Sequence, residues 1–293
     1  MSRRALPEVE GRRRWAILQI SAQNQPAHKT AYERLAAQPA VPWLTLVVFG
    51  TTYLVAGLIY LIVMALATGE RSRWFKGFSP GMLPPLGILF ALLAAFVASQ
   101  VWGDFEHANV AVQREASALR AVVLVTSAFP PEARAHLQAL VGRHIENAMA
   151  QEWPDMAARH ASLQMTPASL AEALQTTLAL VPRGDGQVVA QRELVAALHS
   201  ALDARRQRII LSGSRVNWVK WTGLLLEAAA TLAGVAFVHC DNRKTTALAM
   251  AVFSTAVAVV VVLILSHDRP FIGPISVRPD VLLQVMPERP VSR

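Results

Sequence analysis

Four separated stretches of this chain are long and apolar enough to cross a bilayer, and that limits every other reading. A hydrocarbon core of ~30 Å takes about 20 apolar residues in a helix. In lipid, only helices and closed barrels satisfy their own backbone groups. The spans read as residues 42–68, 82–101, 216–238 and 246–266. Three of them carry no charge; the third holds Lys220 and Glu227. Charged residues make up only 16% of the chain, against roughly 25% in soluble domains, so the apolar excess belongs to a bilayer and not to a soluble core. The expected fold class is an all-α integral membrane protein, with four transmembrane helices and a helical cytosolic domain (102–215) between the second and third.

The formal charge of +8 is unevenly placed. Seven basic residues precede the first span (Arg3, Arg4, Arg12, Arg13, Arg14, Lys29, Arg34), whereas residues 102–215 hold 11 basic and 11 acidic side chains. A nucleic-acid reader would carry its basic excess on a folded face; a basic stretch beside a span suits anionic lipid. Segment 1–41 therefore reads as a cytosolic, lipid-facing arm, and nucleic acid is not an expected partner. With four spans, segment 1–41, the 102–215 domain and the 267–293 tail share one side. The basic bias of that side over the two short loops places both termini inside. Trp43, Trp74, Trp102, Trp218 and Trp221 fall near span ends, where an aromatic belt forms. The first 40 residues contain no apolar stretch of the signal-peptide kind, so the first span is expected to act as its own insertion signal.

Within 102–215, spacings of three and four recur along Phe105, Ala108, Val112, Ala116, Leu119 and Val123, so the second span is expected to run on as one long helix. Pro130-Pro131 breaks it, and a new helix carries Leu137, Leu140, Val141, His144 and Ala148 on one stripe, ending near Trp153-Pro154. Thr166-Pro167 opens another helix. After the turn at Pro182–Gly186 a last helix starts at Gln187 and is expected to continue into the third span. The tail after Pro279 reads as less ordered.

Chemistry-bearing motifs do not emerge. There is no phosphate-binding glycine loop and no nucleophile elbow. The single cysteine, Cys240, rules out an intrachain disulfide and a cysteine-cluster metal site. No catalytic residue, metal site or cofactor is expected, and the chain does not read as an enzyme. Ionisable groups inside spans are functional candidates by default. Lys220 lies one turn into the third span and can snorkel; Glu227 lies near mid-span and cannot. On the second span Leu86, Phe90, Leu93, Val97 and Gln100 form one stripe. Ringed about an axis in an oligomer, it would make a hydrophobic constriction able to gate by dewetting. Arg205, Arg206 and Arg208, near the membrane, are candidates for a charged vestibule that favours anions over cations.

Three stretches carry a family resemblance. They are Val101-Trp102-Gly103-Asp104-Phe105 with Arg114-Glu115-Ala116, then Glu152-Trp153-Pro154-x-Met156, and Asp268-Arg269-Pro270-Phe271-x-Gly273-Pro274-Ile275-x-Val277. Across residues 44–285 the chain resembles the bacterial bestrophin-like membrane proteins, and through them, more distantly, the bestrophin channels. The resemblance implies a homo-oligomer, a pentamer by analogy, in a bacterial inner membrane, with inorganic ions passing along the second span. The acidic calcium-binding clusters of animal bestrophins have no counterpart here. Asp268, Arg269, Pro270 and Phe271 read as a structural corner, with Asp268 and Arg269 poised to pair with a neighbouring helix. The competing expectation is a non-conducting membrane sensor or scaffold that recruits partners through its helical domain.

Overall fold

A computed structural model describes residues 40–67, 79–163, 167–273 and 275–287. The basic arm before residue 40, loop residues Arg71, Arg73, Trp74 and Lys76, and Thr166 and Pro274 lie outside them. The described residues are helical throughout, and four helices have the length and composition to span a membrane.

Helix α1 (Ala40–Leu66) is apolar on all sides. A short 3₁₀ turn, Pro80–Met82, capped by the Ser79 hydroxyl, leads into α2 (Leu83–Val125). Pro84 and Pro85 occupy the first turn of α2, where a missing N–H is harmless. Its 43 residues extend about 65 Å at 1.5 Å each, twice what the hydrocarbon core needs. The second half therefore leaves the bilayer and becomes the spine of the helical domain.

Around that spine pack α3 (Pro131–Asn147), α4 (Trp153–Ala158), α5 (Ala168–Ala179) and α6 (Asp185–Ser212), with α6 running alongside α2. One apolar core joins Val112, Leu119 and Val122 of α2 to Leu137, Leu140, Ile145, Met156, Leu170, Leu194 and Leu198. Helix α3 does not stop at Trp153-Pro154. A π turn, Ala148–Glu152, carries it into α4, with Pro154 in that helix's first turn. Helix α4 then ends at Arg159, whose φ of 62° is left-handed.

Two expectations about continuity are corrected. Helix α6 does not run into the third span. It ends at Ser212, and α7 (Trp218–Val238) starts afresh after an extended link, capped by the Asn217 side chain on Val219 N–H. Gly213 and Asn217 supply the stop and the cap that helical periodicity overlooked. The tail also docks: α9 (Asp280–Leu283) buries Leu282 in the core beside α2.

Helix α8 (Arg243–His267) returns through the membrane against α1 and α7. Two apolar clusters hold the four spans together. One unites Val48, Phe90, Ala94, Val97, Val101, Leu224, Ala228, Val257, Val261 and Ile264; the other unites Ala56, Val63, Leu232, Ala236 and Met250. Only 17% of the most apolar windows of α1 and α2 is buried within the chain. Their remaining faces need lipid or another subunit. Replacing Leu198, wholly inside the domain core, by Ala is expected to destabilise the protein by roughly 2–5 kcal/mol. Val189→Ala, at an exposed site, should stay within about 0.5 kcal/mol. Thermal unfolding in detergent compares the two.

Candidate functional site

Three places in the molecule hold the polar and gating candidates: the membrane half of α2, the third span, and a charged cluster inside the helical domain.

On α2 the structure splits the sequence-selected stripe. Phe90 and Val97 are buried against the chain's own spans, and the Phe90 ring lies 5.6 Å from that of Phe253 on α8. Leu86 and Gln100 are half-buried, and Leu93 is 39% exposed. Phe90 and Val97 are therefore not free to face an axis, whereas Leu86, Leu93 and Gln100 stay partly exposed. A seam alternating by four and three is what a helix uses to pack on its neighbours, and α2 uses it so. The face turned away from the chain's own helices carries Ile88, Leu92 and Phe96, 66%, 50% and 65% exposed, at regular four-residue spacing. Ser99 and Trp102 continue it toward the helical domain. Sequence could not choose between the two stripes, because both are uniformly apolar.

In the third span, Lys220 Nζ donates to Gln100 Oε1 and so ties α7 to α2 near the membrane edge. Glu227 lies two turns deeper. Its Oε1 is buried without a hydrogen-bond partner among the described residues. Lys220 thus does not serve as its counter-ion.

The charged cluster is the most completely built polar site. Arg208 of α6 is wholly buried. Its Nε and Nη2 donate to the two oxygens of Glu115 on α2 at 2.7 and 3.1 Å, and Nη2 also reaches Glu152 Oε2 at 2.7 Å. Arg205, one turn earlier, donates from Nε and Nη2 to Glu152 Oε1 at 2.7 Å. His144 Nε2 lies 2.9 Å from Glu115 Oε1. With its Nδ1 unpartnered among the described residues, the tautomer bearing the proton on Nε2 is the one that fits. The guanidinium carbon of Arg208 sits 4.7 Å from the centre of the Trp153 ring, a cation–π distance. Trp153 in turn donates to Val277 O at 3.4 Å and meets Phe271 edge-on at 5.8 Å.

Burial alone would raise both carboxyls. The charge and hydrogen bonds of Arg208, with those of His144 on Glu115 and Arg205 on Glu152, outweigh it. Glu115 is held down to about 2, and Glu152 is also lowered. The carboxylates return the effect, keeping Arg208 protonated against its own desolvation.

Two of the three vestibule candidates are therefore structural. Arg205 and Arg208 are neutralised inside the domain and do not face open solvent; Arg206 is exposed beside Asp203 at 3.1 Å. Glu115, His144, Glu152 and Trp153 were missed as a site, yet a signal existed. Glu115 falls on the apolar stripe between Val112 and Leu119, and an acid at such a position needs a buried partner. The corner at Asp268–Phe271 is held by contacts of a different kind from the expected salt bridge. Asp268 Oδ1 accepts from Val216 N–H at 2.8 Å, tying the exit of α8 to the start of α7. Burial raises its pKa, partly offset by that hydrogen bond and by nearby arginines.

Comparison with known proteins adds a family and a fold. A model of the bestrophin-like domain matches residues 50–282. A bacterial bestrophin homolog from Klebsiella pneumoniae superposes with a TM-score of 0.61 at 14% identity, over 80% of this chain and 95% of that one. Two single-substitution variants of a bacterial bestrophin homolog from the same organism give TM-scores of 0.63 and 0.61, each at 14% identity. They cover 85% and 81% of this chain and 96% of theirs. At such identity the likeness shows the fold alone. No curated protein matches the chain.

The cluster sets an acid response. Because the folded pKa of Glu115 lies below its ordinary 4.5, its ion pairs stabilise the protein fully above that value. The contribution is lost as pH falls from there toward about 2. Thermal unfolding followed against pH should show this loss, and Glu115→Gln should flatten it while lowering stability at neutral pH.

Proposed function

The chain belongs to the bestrophin-like family, and on that premise we propose that copies of it assemble, as a pentamer, into an ion channel with α2 lining the axis. The observation that carries the reading is the free Ile88–Leu92–Phe96 face. A single chain has too few polar residues in its spans to line a conduit, so the passage requires several copies. Apolar side chains ringed at one depth form a constriction that opens and closes by wetting. Ser99 and Trp102 then mark its inner mouth. Following the basic distribution in the sequence, the membrane is the bacterial inner membrane, with both termini and the helical domain cytoplasmic.

The same geometry changes the basis for selectivity. Arg205 and Arg208 are matched by Glu152 and Glu115, so their charge does not reach a vestibule as an anion-attracting field. The constriction face itself is uncharged. Passage is then governed by pore width and dehydration, with the sign of the ion set by residues outside this cluster.

One observation favours a second reading, a non-conducting sensor or scaffold. Phe90 and Val97 pack on neighbouring spans, as they would in a protein without a pore. The two readings part in reconstituted liposomes under opposed sodium and chloride gradients. A channel gives protein-dependent current. Leu92→Ala and Phe96→Ala should raise conductance several-fold by widening the constriction, whereas Phe90→Ala should only lower the unfolding temperature. A folded, assembled protein that passes no current would leave the scaffold as the better account.

A further inference from the structure

We propose that the interior of the four-span bundle holds a binding site for a small monovalent cation, made by Glu227 and Thr231 of α7 and Ser254 of α8. The site lies within one subunit, apart from the α2 face proposed to line a pore.

The first observation is a concentration of unmet oxygen atoms. Glu227 Oε1, Thr231 Oγ1 and Ser254 Oγ are buried without a hydrogen-bond partner among the described residues. Glu227 is the only acidic residue in the four spans. A buried carboxylate oxygen lacking both a donor and a counter-ion is strongly unfavourable in an apolar medium. Lys220 cannot relieve it, being two turns away and engaged with Gln100.

The second observation concerns the two hydroxyls. Buried serine and threonine in helices ordinarily donate to the carbonyl four residues earlier. Thr51, Thr222, Thr246, Thr255 and Ser266 in the spans of this molecule do so at 2.7–3.0 Å. Thr231 and Ser254, both fully buried, do not. Their oxygens are left without a partner among the described residues.

Placement brings Glu227 and Ser254 to one depth, with Thr231 one turn of α7 nearer the loop. Glu227 and Thr231 are four apart, neighbours on one face of α7. Helices α7 and α8 form an antiparallel pair joined by a short turn. Glu227 lies eleven residues before Val238, and Ser254 eleven residues after Arg243, so the two share a depth. Phe253, beside Ser254, packs against both apolar clusters of the membrane half.

A carboxylate and two neutral hydroxyls are hard oxygen donors of the kind that suit an alkali cation. One monovalent cation leaves the group neutral, whereas a divalent cation would leave a net positive charge in the bundle, which burial disfavours. A bound cation also bridges α7 to α8 and so stiffens the hairpin.

The test uses the full-length protein in detergent, with thermal unfolding measured as sodium chloride replaces choline chloride at constant ionic strength. Saturable 22Na binding is measured in parallel. The expected result is an unfolding temperature that rises with sodium and reaches a plateau. Glu227→Gln should abolish both the rise and the binding. Thr231→Val and Ser254→Ala should shift half-saturation upward about tenfold, and Thr222→Val should leave it unchanged. Equal stability in sodium and choline, or a Glu227→Gln protein that still binds sodium, would overturn the proposal. So would stabilisation by acid in choline with no sodium effect, because the occupant would then be a proton.

Discussion

A fully buried guanidinium governs the architecture of the helical domain. Arg208 loses its hydration entirely, and the desolvation penalty for such an ion amounts to several kcal/mol unless charge and hydrogen bonds replace the water. Here Glu115, Glu152, Met156 Sδ and the face of Trp153 replace it. Those groups come from α2, the π turn and α4, so α6 can take only one register against them. The cluster is weak evidence for stability as such, since apolar residues of the same shape often pack as well. Its effect is on specificity: a shifted α6 would strand a charge, whereas a shifted leucine would only meet another leucine.

The π turn at Ala148–Glu152 belongs to the same constraint. An extra residue in a helical turn rotates everything after it, and such bulges recur where a side chain must be re-aimed. Here the turn delivers Glu152 and Trp153 to Arg208 from consecutive positions. Trp153 extends the connection to Phe271 and Val277 beyond the fourth span. The three stretches that resemble the bestrophin-like proteins thus converge on one arginine: Glu115 from the first, Glu152, Trp153 and Met156 from the second, Phe271 and Val277 from the third. Residues remote in sequence keep company there because they either meet the buried charge of Arg208 directly or, like Phe271 and Val277, hold Trp153 against it.

How much could be read in advance follows from the same physics. Four uninterrupted apolar runs admit few arrangements, so the spans and the helical domain were legible. The unbroken stripe through Phe105, Val112 and Leu119 likewise foretold that α2 runs on past the bilayer. Which stripe of α2 stays free was not legible: Phe90 and Val97 are as apolar as Ile88 and Leu92, and only packing assigns the first pair to the interior. The arginine cluster was misread for a related reason. Arg205, Arg206 and Arg208 look alike as a basic run, and the acids that bury Arg205 and Arg208 lie about 50 and 90 positions earlier. The stop before α7 depended on Gly213 and the Asn217 cap, local signals that a longer apolar periodicity obscured.

Two ionisable side chains are treated oppositely: Arg208 is wholly buried and fully partnered, whereas Glu227 is half-buried with its Oε1 unpartnered among the described residues. Arg208 meets a complete shell, and α2, carrying Glu115, transmits that rigidity from the helical domain into the bilayer along one unbroken helix. At the membrane edge α2 is joined to α7 by the Gln100–Lys220 hydrogen bond, and α7 to the exit of α8 by the Asp268 carboxylate on Val216 N–H. Two turns further along α7 lies Glu227, whose Oε1 has no hydrogen-bond partner among the described residues. A helix tied at one end by these two hydrogen bonds, and left unsaturated in its middle, would respond to the proposed cation without disturbing the domain below. The small-residue run Ala228-Ala229-Ala230 beside Glu227 fits that division, because methyl side chains let α7 shift against its neighbours with little steric resistance.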